Sequence, residues 1–320
     1  MRRRYSIYLF VITSLIFIVG CAQDNQQGNL FKVGMMVKGT VEDNPWNDKG
    51  YKGLLAIEDK FDVEVEVIEN VETDEEISKA VSELVDEGVN LIIGHSSIYG
   101  EQFYSLAKSF PDIHFIYTNG NYYSENLTSL TFNSHAMGFF AGMIASQMSK
   151  SNEVGIIAAY QWQPEIEGFY EGVKFKNANT NVNMEFIYDW NDKDVALRAY
   201  NKMKQSGVDV IYPAGDDFSE EIIKQASEDQ IYAIGFVSDQ YKIEPKTVLT
   251  STVQHVDRLY VLAAEKFHNG TLKGEIMSFD FKDDLITLGE YSEEVPKYFQ
   301  KSLNEYIEEY KKTGLLPNQY

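Results

Sequence analysis

Seven short, mainly apolar runs set the tightest limit on what this chain can become: Lys32 to Val37, Leu91 to Ile93, His114 to Tyr117, Val154 to Ala158, Val208 to Tyr212, Ile231 to Val237 and Val248 to Val253. Runs of this length without polar alternation fit strands that are covered on both faces. Asp62 to Val67 differs, because Val63, Val65 and Val67 alternate with charged or polar neighbours. That pattern predicts an edge strand with one wet face, where charge also discourages stray pairing. Between the runs lie helical stretches. Ile77, Ala80, Val81, Leu84 and Val85 form one apolar stripe, Thr73 and Glu76 have capping-box spacing, and Gly88 stands where a C-cap glycine belongs. The segment 136–148 is apolar but too short to span a bilayer and reads as a buried helix. Strand and helix in regular alternation predict an α/β fold with parallel sheets.

An internal echo divides the chain. Glu87-Gly88-Val89-Asn90 and Ser206-Gly207-Val208-Asp209 each precede an apolar run, and their glycines are 119 residues apart. The same offset pairs Pro45 with Pro164, Tyr51 with Tyr170, Gly53 with Gly172 and Leu54 with Val173. Matches at one spacing predict two similar lobes, each a parallel sheet flanked by helices, with a ligand cleft between them. Ligands of parallel sheets sit outside the carboxyl ends of the strands, so the strand-end loops should face that cleft. Those loops carry Trp46 and Asn47, Ser96 and Ser97, Trp190, and Gly215 with Asp216. Trp46 and Trp190, one per half, are two of three tryptophans, and each has Asn or Asp beside it. Such aromatics could hold a flat ring or could simply pack the lobe interface.

The front of the chain is of another kind. Arg2, Arg3 and Arg4 precede the apolar stretch Ile7 to Val19, which is too short for a comfortable membrane span, and Ile18-Val19-Gly20-Cys21 has lipobox form. Residues 1–20 therefore read as a lipoprotein signal peptide, Cys21 as the thiol that accepts a diacylglyceryl group, and residues 21–30 as a polar tether. An uncleaved anchor helix is the competing reading. These readings place the mature protein on the extracytoplasmic face of the cell membrane.

Several chemistries are excluded or weak. A formal net charge of −21, which removal of the leader makes more negative, argues against direct nucleic-acid binding. One cysteine allows no disulfide framework, and five histidines without i, i+4 pairing make a weak case for zinc, so no metal or cofactor is expected. Gly94-His95-Ser96-Ser97-Ile98 fails the nucleophile-elbow spacing, and no dinucleotide fingerprint or phosphate loop occurs. Asp280 to Asp284 lacks calcium-loop spacing and reads as a solvated turn. The expectation is a binding protein and not an enzyme.

The strand-end loops also carry a family resemblance. Asp43-Asn-Pro-Trp46-Asn47 with Gly53-Leu54, Gly88 to Gly94, Phe110-Pro111-Asp112, Ser129 to Phe132, Met137 to Gly142, Gly207 to Gly215, Ile234-Gly235 with Asp239-Gln240, and Leu249 to Val253 with Val256-Asp257 occur in matching order. In these the chain resembles the basic-membrane-protein family, purine-nucleoside-binding lipoproteins of the type I periplasmic-binding-protein fold. The resemblance implies a base held between two rings, at Trp46 and Trp190, and together with the strand-end loops this makes Asn47, Ser96, Ser97, Gly215, Asp216, Asp239 and Gln254 the candidate residues around the ligand. It also implies an ABC permease as a possible partner. On the same grounds the lobes should comprise 31–133 plus 252–278 and 134–251 plus 279–320, crossing near 133–136, 250–252 and 277–280. Three positions depart from the family pattern: Val37 and Val237 stand where acids are expected and Gln254 where a lysine is expected. Unpaired sugar hydroxyls would each cost about 1–3 kcal/mol, so ordinary nucleoside affinity could be lost. Tyr51-Lys-Gly-Leu54, Trp162-Gln-Pro-Glu165, Tyr212-Pro-Ala-Gly215 and Leu249 to Gln254 further resemble a branch of the family associated with positive control of competence genes, which implies a regulatory role.

Overall fold

A computed structural model describes residues 28–42 and 45–320, so the signal segment, Cys21 and most of the tether lie outside the described residues. The first sheet is built from β1 (Lys32–Met36), β2 (Glu64–Ile68), β3 (Leu91–Gly94), β4 (His114–Thr118) and β5 (Leu127–Phe132), joined late in the chain by β11 (Ile276–Phe279). The second contains β6 (Glu153–Ala158), β7 (Asn181–Phe186), β8 (Val210–Ala214), β9 (Tyr232–Gly235), β10 (Val248–Gln254) and β12 (Ile286–Leu288). The strand orders are β11-β5-β4-β3-β1-β2 and β12-β10-β9-β8-β6-β7, one topology used twice. All pairs are parallel except β10 with β12. This is the two-lobed α/β architecture expected from the apolar runs.

The local reasons are the expected ones. The central strands β3 and β8 are buried at every residue, whereas β2 lies at a sheet edge with its first residue exposed. The first-lobe helices are α1 (Pro45–Phe61), α2 (Asp74–Asp86) and α3 (Tyr99–Leu106). The Thr73–Glu76 capping box is formed at α2, and Gly88 follows it with φ +85°, a conformation that glycine adopts without Cβ strain. The second lobe carries α4 (His135–Met148), α5 (Pro164–Lys176), α6 (Lys193–Gln205), α7 (Phe218–Glu228) and, near the C-terminus, α9 (Lys297–Thr313). Gly207, with φ +86°, follows α6 as Gly88 follows α2, and Pro45 and Pro164 open α1 and α5. The echo at 119 residues thus marks equivalent structural positions.

The expected buried helix is α4, whose residues Ala136 through Ser146 are all buried. It crosses α5 at backbone contact. A Cβ on Gly168 would stand 1.9 Å from the His135 carbonyl oxygen, and one on Gly172 equally close to that of Phe139. Gly138 and Gly142 do the same from the other side, against Glu165 and Phe169. Glycine is required here by lack of space, not by φ.

Strand pairing fixes where the chain passes between sheets. β5 ends in the first sheet at Phe132, and α4 then packs on the second lobe. Thr252 to Gln254 pair with Leu288 to Ile286 in the second sheet, after which α8 (Val256–His268) packs on α1 in the first lobe. Phe279 pairs with Phe132 in the first sheet. Residues 252–254 therefore sit in the second lobe and Phe279 in the first, because hydrogen bonding of β10 and β11 continues beyond the expected crossings. Asp280 is also not the solvated residue expected: it is 3% exposed, caps the turn at Phe281–Asp283 and accepts from the Tyr310 hydroxyl at 2.8 Å.

Candidate functional site

A cleft of about 370 Å³ opens between the lobes at the carboxyl ends of both sheets. On the first-lobe side its wall includes Trp46, Ser96, Ser97 and Thr118. Opposite are Trp162, Trp190, Glu165 and Asp216, with Gln254 and Val237 near the crossings.

Trp46 is set by a stack of buried contacts. Its ring lies on His95 with centroids 4.7 Å apart and planes at 16°. His95 Nε2 is 2.8 Å from the Trp46 carbonyl oxygen and Nδ1 is 2.5 Å from the Tyr260 hydroxyl. A carbonyl only accepts, so Nε2 carries the proton and the tyrosine donates to Nδ1. Burial holds the His95 pKa down at about 4, which keeps this neutral tautomer throughout the physiological range. Gly50 makes the arrangement possible, since a Cβ there would be 2.6 Å from the imidazole.

The second lobe presents an aromatic group. Trp190 is the middle residue of a turn in which the Asp189 carboxylate accepts from the Asn191 amide at 2.7 Å, and the ring of Tyr160 stacks on Trp162 at 5.5 Å. Trp162 meets Trp190 edge to face at 6.0 Å and is 67% exposed, so it has aromatic surface available at the cleft mouth. In the sequence Trp162 figures only in a family motif, and its position a few residues beyond β6, in a strand-end loop like those of Trp46 and Trp190, is the signal that points to it.

The acids are deeper. Glu165 lies in the first turn of α5 and is buried, accepting at 2.7 Å from the Ser134 hydroxyl and at 2.7 Å from Gln163 Nε2. Burial raises its pKa against these hydrogen bonds. Asp216, in the loop after β8, is pushed up to about 7 by burial and then by Asp217 and Glu165, with Lys49 opposing. Lys49 is itself lowered by burial and donates to the Gln254 carbonyl oxygen at 3.1 Å, a link from α1 to β10. Glu165 and Thr118 were not foreseen. A glutamate in a first helical turn looks like an ordinary helix-dipole acid, and only the tertiary fold buries it.

Of the expected site residues, Trp46, Ser96, Ser97, Trp190, Asp216 and Gln254 line the cleft. Three do not. Asn47 is 3% exposed and donates to the Lys38 and Thr40 carbonyl oxygens, fixing the loop that carries Trp46. Gly215 is a packing position, where a Cβ would meet the Phe218 ring at 2.1 Å. Asp239 is exposed away from the cleft, its carboxylate accepting from the amides of Tyr241 and Glu290. Val37 is fully buried in the first-lobe core. Val237, by contrast, lines the cleft with φ +61°, a strained conformation for a β-branched residue.

The Bmp family model, described as ABC transporter substrate-binding protein PnrA-like, matches residues 30–319. The chain belongs to this family. The family is one of substrate-binding proteins, which sets the general function as substrate binding. Among its relatives, the transcriptional activator protein med of Bacillus subtilis is 42% identical over 97% of this chain and 98% of its own. A crystal structure of a transcriptional activator of the comK gene from Bacillus halodurans superposes with a TM-score of 0.86 at 41% identity, covering 89% of this chain and 99% of that one. A purine-binding protein of Brucella abortus is 27% identical over 89% of this chain and 81% of its own. Among the described residues no helix of this Bmp-family chain is long and apolar enough to cross a membrane.

Proposed function

We propose that this is an extracytoplasmic lipoprotein, anchored through Cys21, that clasps a nucleoside-like ring between Trp46 and the Trp190–Trp162 pair and acts as a positive regulator of competence genes. The observation that carries the ligand part is a cleft bearing tryptophan on both walls, with polar groups beneath. The purine-binding relative supports a flat, nucleoside-like ligand, and the two activator relatives support the regulatory role. The lipobox and the lone cysteine support the anchor. Val237 and Gln254, at positions where the family resemblance implies an acid and a lysine, favour a sensor whose ligand preference has moved from that of a transport receptor.

The test is calorimetry with a panel of nucleosides, on wild type, Trp46→Ala and Trp190→Ala. Each substitution should weaken binding by about 1 kcal/mol or more through lost stacking. Unchanged affinity in both variants removes the sandwich. The alternative role, receptor for an ABC importer of nucleosides, is favoured by the family description. A deletion strain that loses nucleoside uptake while competence expression stays normal would decide for it.

A further inference from the structure

Two acids line the cleft without a cation of their own. Glu165 is 4% exposed, and the hydrogen bonds to its carboxylate come from neutral donors, Ser134, Gln163 and its own backbone amide. Asp216 faces the same space. Among the described residues neither is joined to a lysine, arginine or histidine in an ion pair. The one cation whose charge reaches Asp216 is Lys49, which forms no ion pair with it and points one N–H at the Gln254 carbonyl. Each carboxylate oxygen has two lone pairs, so acceptor capacity remains. A buried carboxylate without a counter-charge is unfavourable, and such a pair in a cleft is characteristic of a site that a ligand completes.

Two independent observations point to a ligand here. Thr118 Oγ1 lines the cleft from the first lobe, is fully buried and has no hydrogen-bond partner. The Tyr260 hydroxyl, which donates its own proton to His95, is near enough for the Thr118 hydroxyl to lower its pKa as a hydrogen-bonding group, yet the two fall short of full hydrogen-bond geometry and Thr118 Oγ1 stays unsatisfied. The walls, moreover, carry three tryptophans, Trp46, Trp162 and Trp190. Indole has the most favourable ring face for a cation, and aromatic walls over carboxylates form a cage for organic cations. The net charge of −21 also steers cations toward the molecule.

We infer that the cleft selects a flat heteroaromatic cation, such as a positively charged nucleoside, with Glu165 and Asp216 supplying the counter-charge and Thr118 a hydrogen bond. This rests on the tryptophan sandwich and adds the charge of its occupant. Without a cation, burial and the mutual repulsion of Glu165, Asp216 and Asp217 favour protonation of Asp216, opposed by Lys49. A bound cation reverses that balance.

The probes are 1-methyladenosine, a cation at neutral pH, and adenosine, its uncharged near-isostere. They are titrated by calorimetry into detergent-solubilised full-length protein and into the variants Glu165→Gln and Asp216→Asn. The expected result is at least tenfold tighter binding of 1-methyladenosine by the wild type, with the gap largely closed in each variant. If Glu165→Gln fails to fold, Asp216→Asn, at a less buried position, carries the test alone. Equal affinities, or a preference for adenosine, overturn the inference and leave the sandwich standing. A preference for 1-methyladenosine that survives both substitutions overturns the role given to the carboxylates. Failure of both probes to bind the wild type removes the sandwich, and this inference with it.

Discussion

Replacing Gly168 by alanine tests whether the α4–α5 crossing sets the floor of the cleft. The added Cβ would lie 1.9 Å from the His135 carbonyl oxygen and 2.9 Å from the Phe139 nitrogen, where real Cβ contacts stay beyond 3.0 Å. Backbone cannot rotate away as a side-chain tip can, so the helices must part by about 1 Å at this level, on the order of a tight overpacking shift. Glycine to alanine in a helix returns about 0.8–1 kcal/mol of propensity, whereas forced displacement of packed elements costs about 1–3 kcal/mol and sometimes more. With backbone on both sides of the 1.9 Å approach the cost lies at the upper end of that range, so the net loss is about 2 kcal/mol, which for a chain of this size lowers Tm by about 4–8 °C. The same movement draws Glu165 on α5 away from Ser134, which immediately precedes α4 and donates to it at 2.7 Å. Melting followed by circular dichroism reads the first effect, and tryptophan emission, with Trp162 just before α5, reads the second. Gly88→Ala is the control: nothing lies within 4 Å of its Cβ, so only left-handed strain of about 1–2 kcal/mol is added and emission stays unchanged. A Gly168→Ala protein that melts with wild type and emits like it would refute the reasoning.

The other expectations are more compact. Asp216, raised from 3.8 to about 7, keeps a proton in the folded state that the unfolded chain releases, so its contribution to stability is full below pH 4 and falls as pH rises toward 7. Asp216→Asn should flatten that part of the stability–pH profile, and denaturant titrations between pH 4 and 8 read the slope. Cys21→Ala should abolish incorporation of labelled palmitate and release the protein from the membrane fraction. Thr73→Ala removes the side chain that accepts from the Glu76 amide at 3.3 Å and should lower stability by about 1 kcal/mol, measured by chemical denaturation.

Much of this fold was legible because the strongest signals are local. Central strands must be apolar on both faces, so the runs at Leu91 and Val208 led directly to β3 and β8. The capping box at Thr73 depends on residues three apart, and Gly88 on its own φ. The edge strand β7 showed itself only through the strand-end loop at Trp190, because Val182, Met184 and Phe186 alternate with Asn181, Asn183 and Glu185, a one-faced pattern weaker than an unbroken apolar run. Site residues were harder because their roles are tertiary. Trp46 and Trp190 stand out by composition, whereas Asn47 and Asp239, expected around the ligand, lie off the cleft wall with polar groups that hold loops. Thr118 at the end of β4 gave no local sign at all. Val237 could not be foreseen in its left-handed conformation, which valine adopts only when surroundings impose it.

The order in which the chain is synthesised meets an obstacle in the pairing of β5 with β11. Ser129, made early, hydrogen-bonds alongside Ile276, made near the end, and the whole second sheet except β12 is encoded between them. Until then β5 presents an edge of unpaired backbone groups, and α1 lacks its partner α8. The halves resemble copies that could be cut apart, yet a polypeptide stopped after α7 would complete neither. Acquisition of the native state is therefore a late, long-range event, and the growing chain must be kept from aggregating until its last sixty or so residues arrive, as expected where distant strands pair.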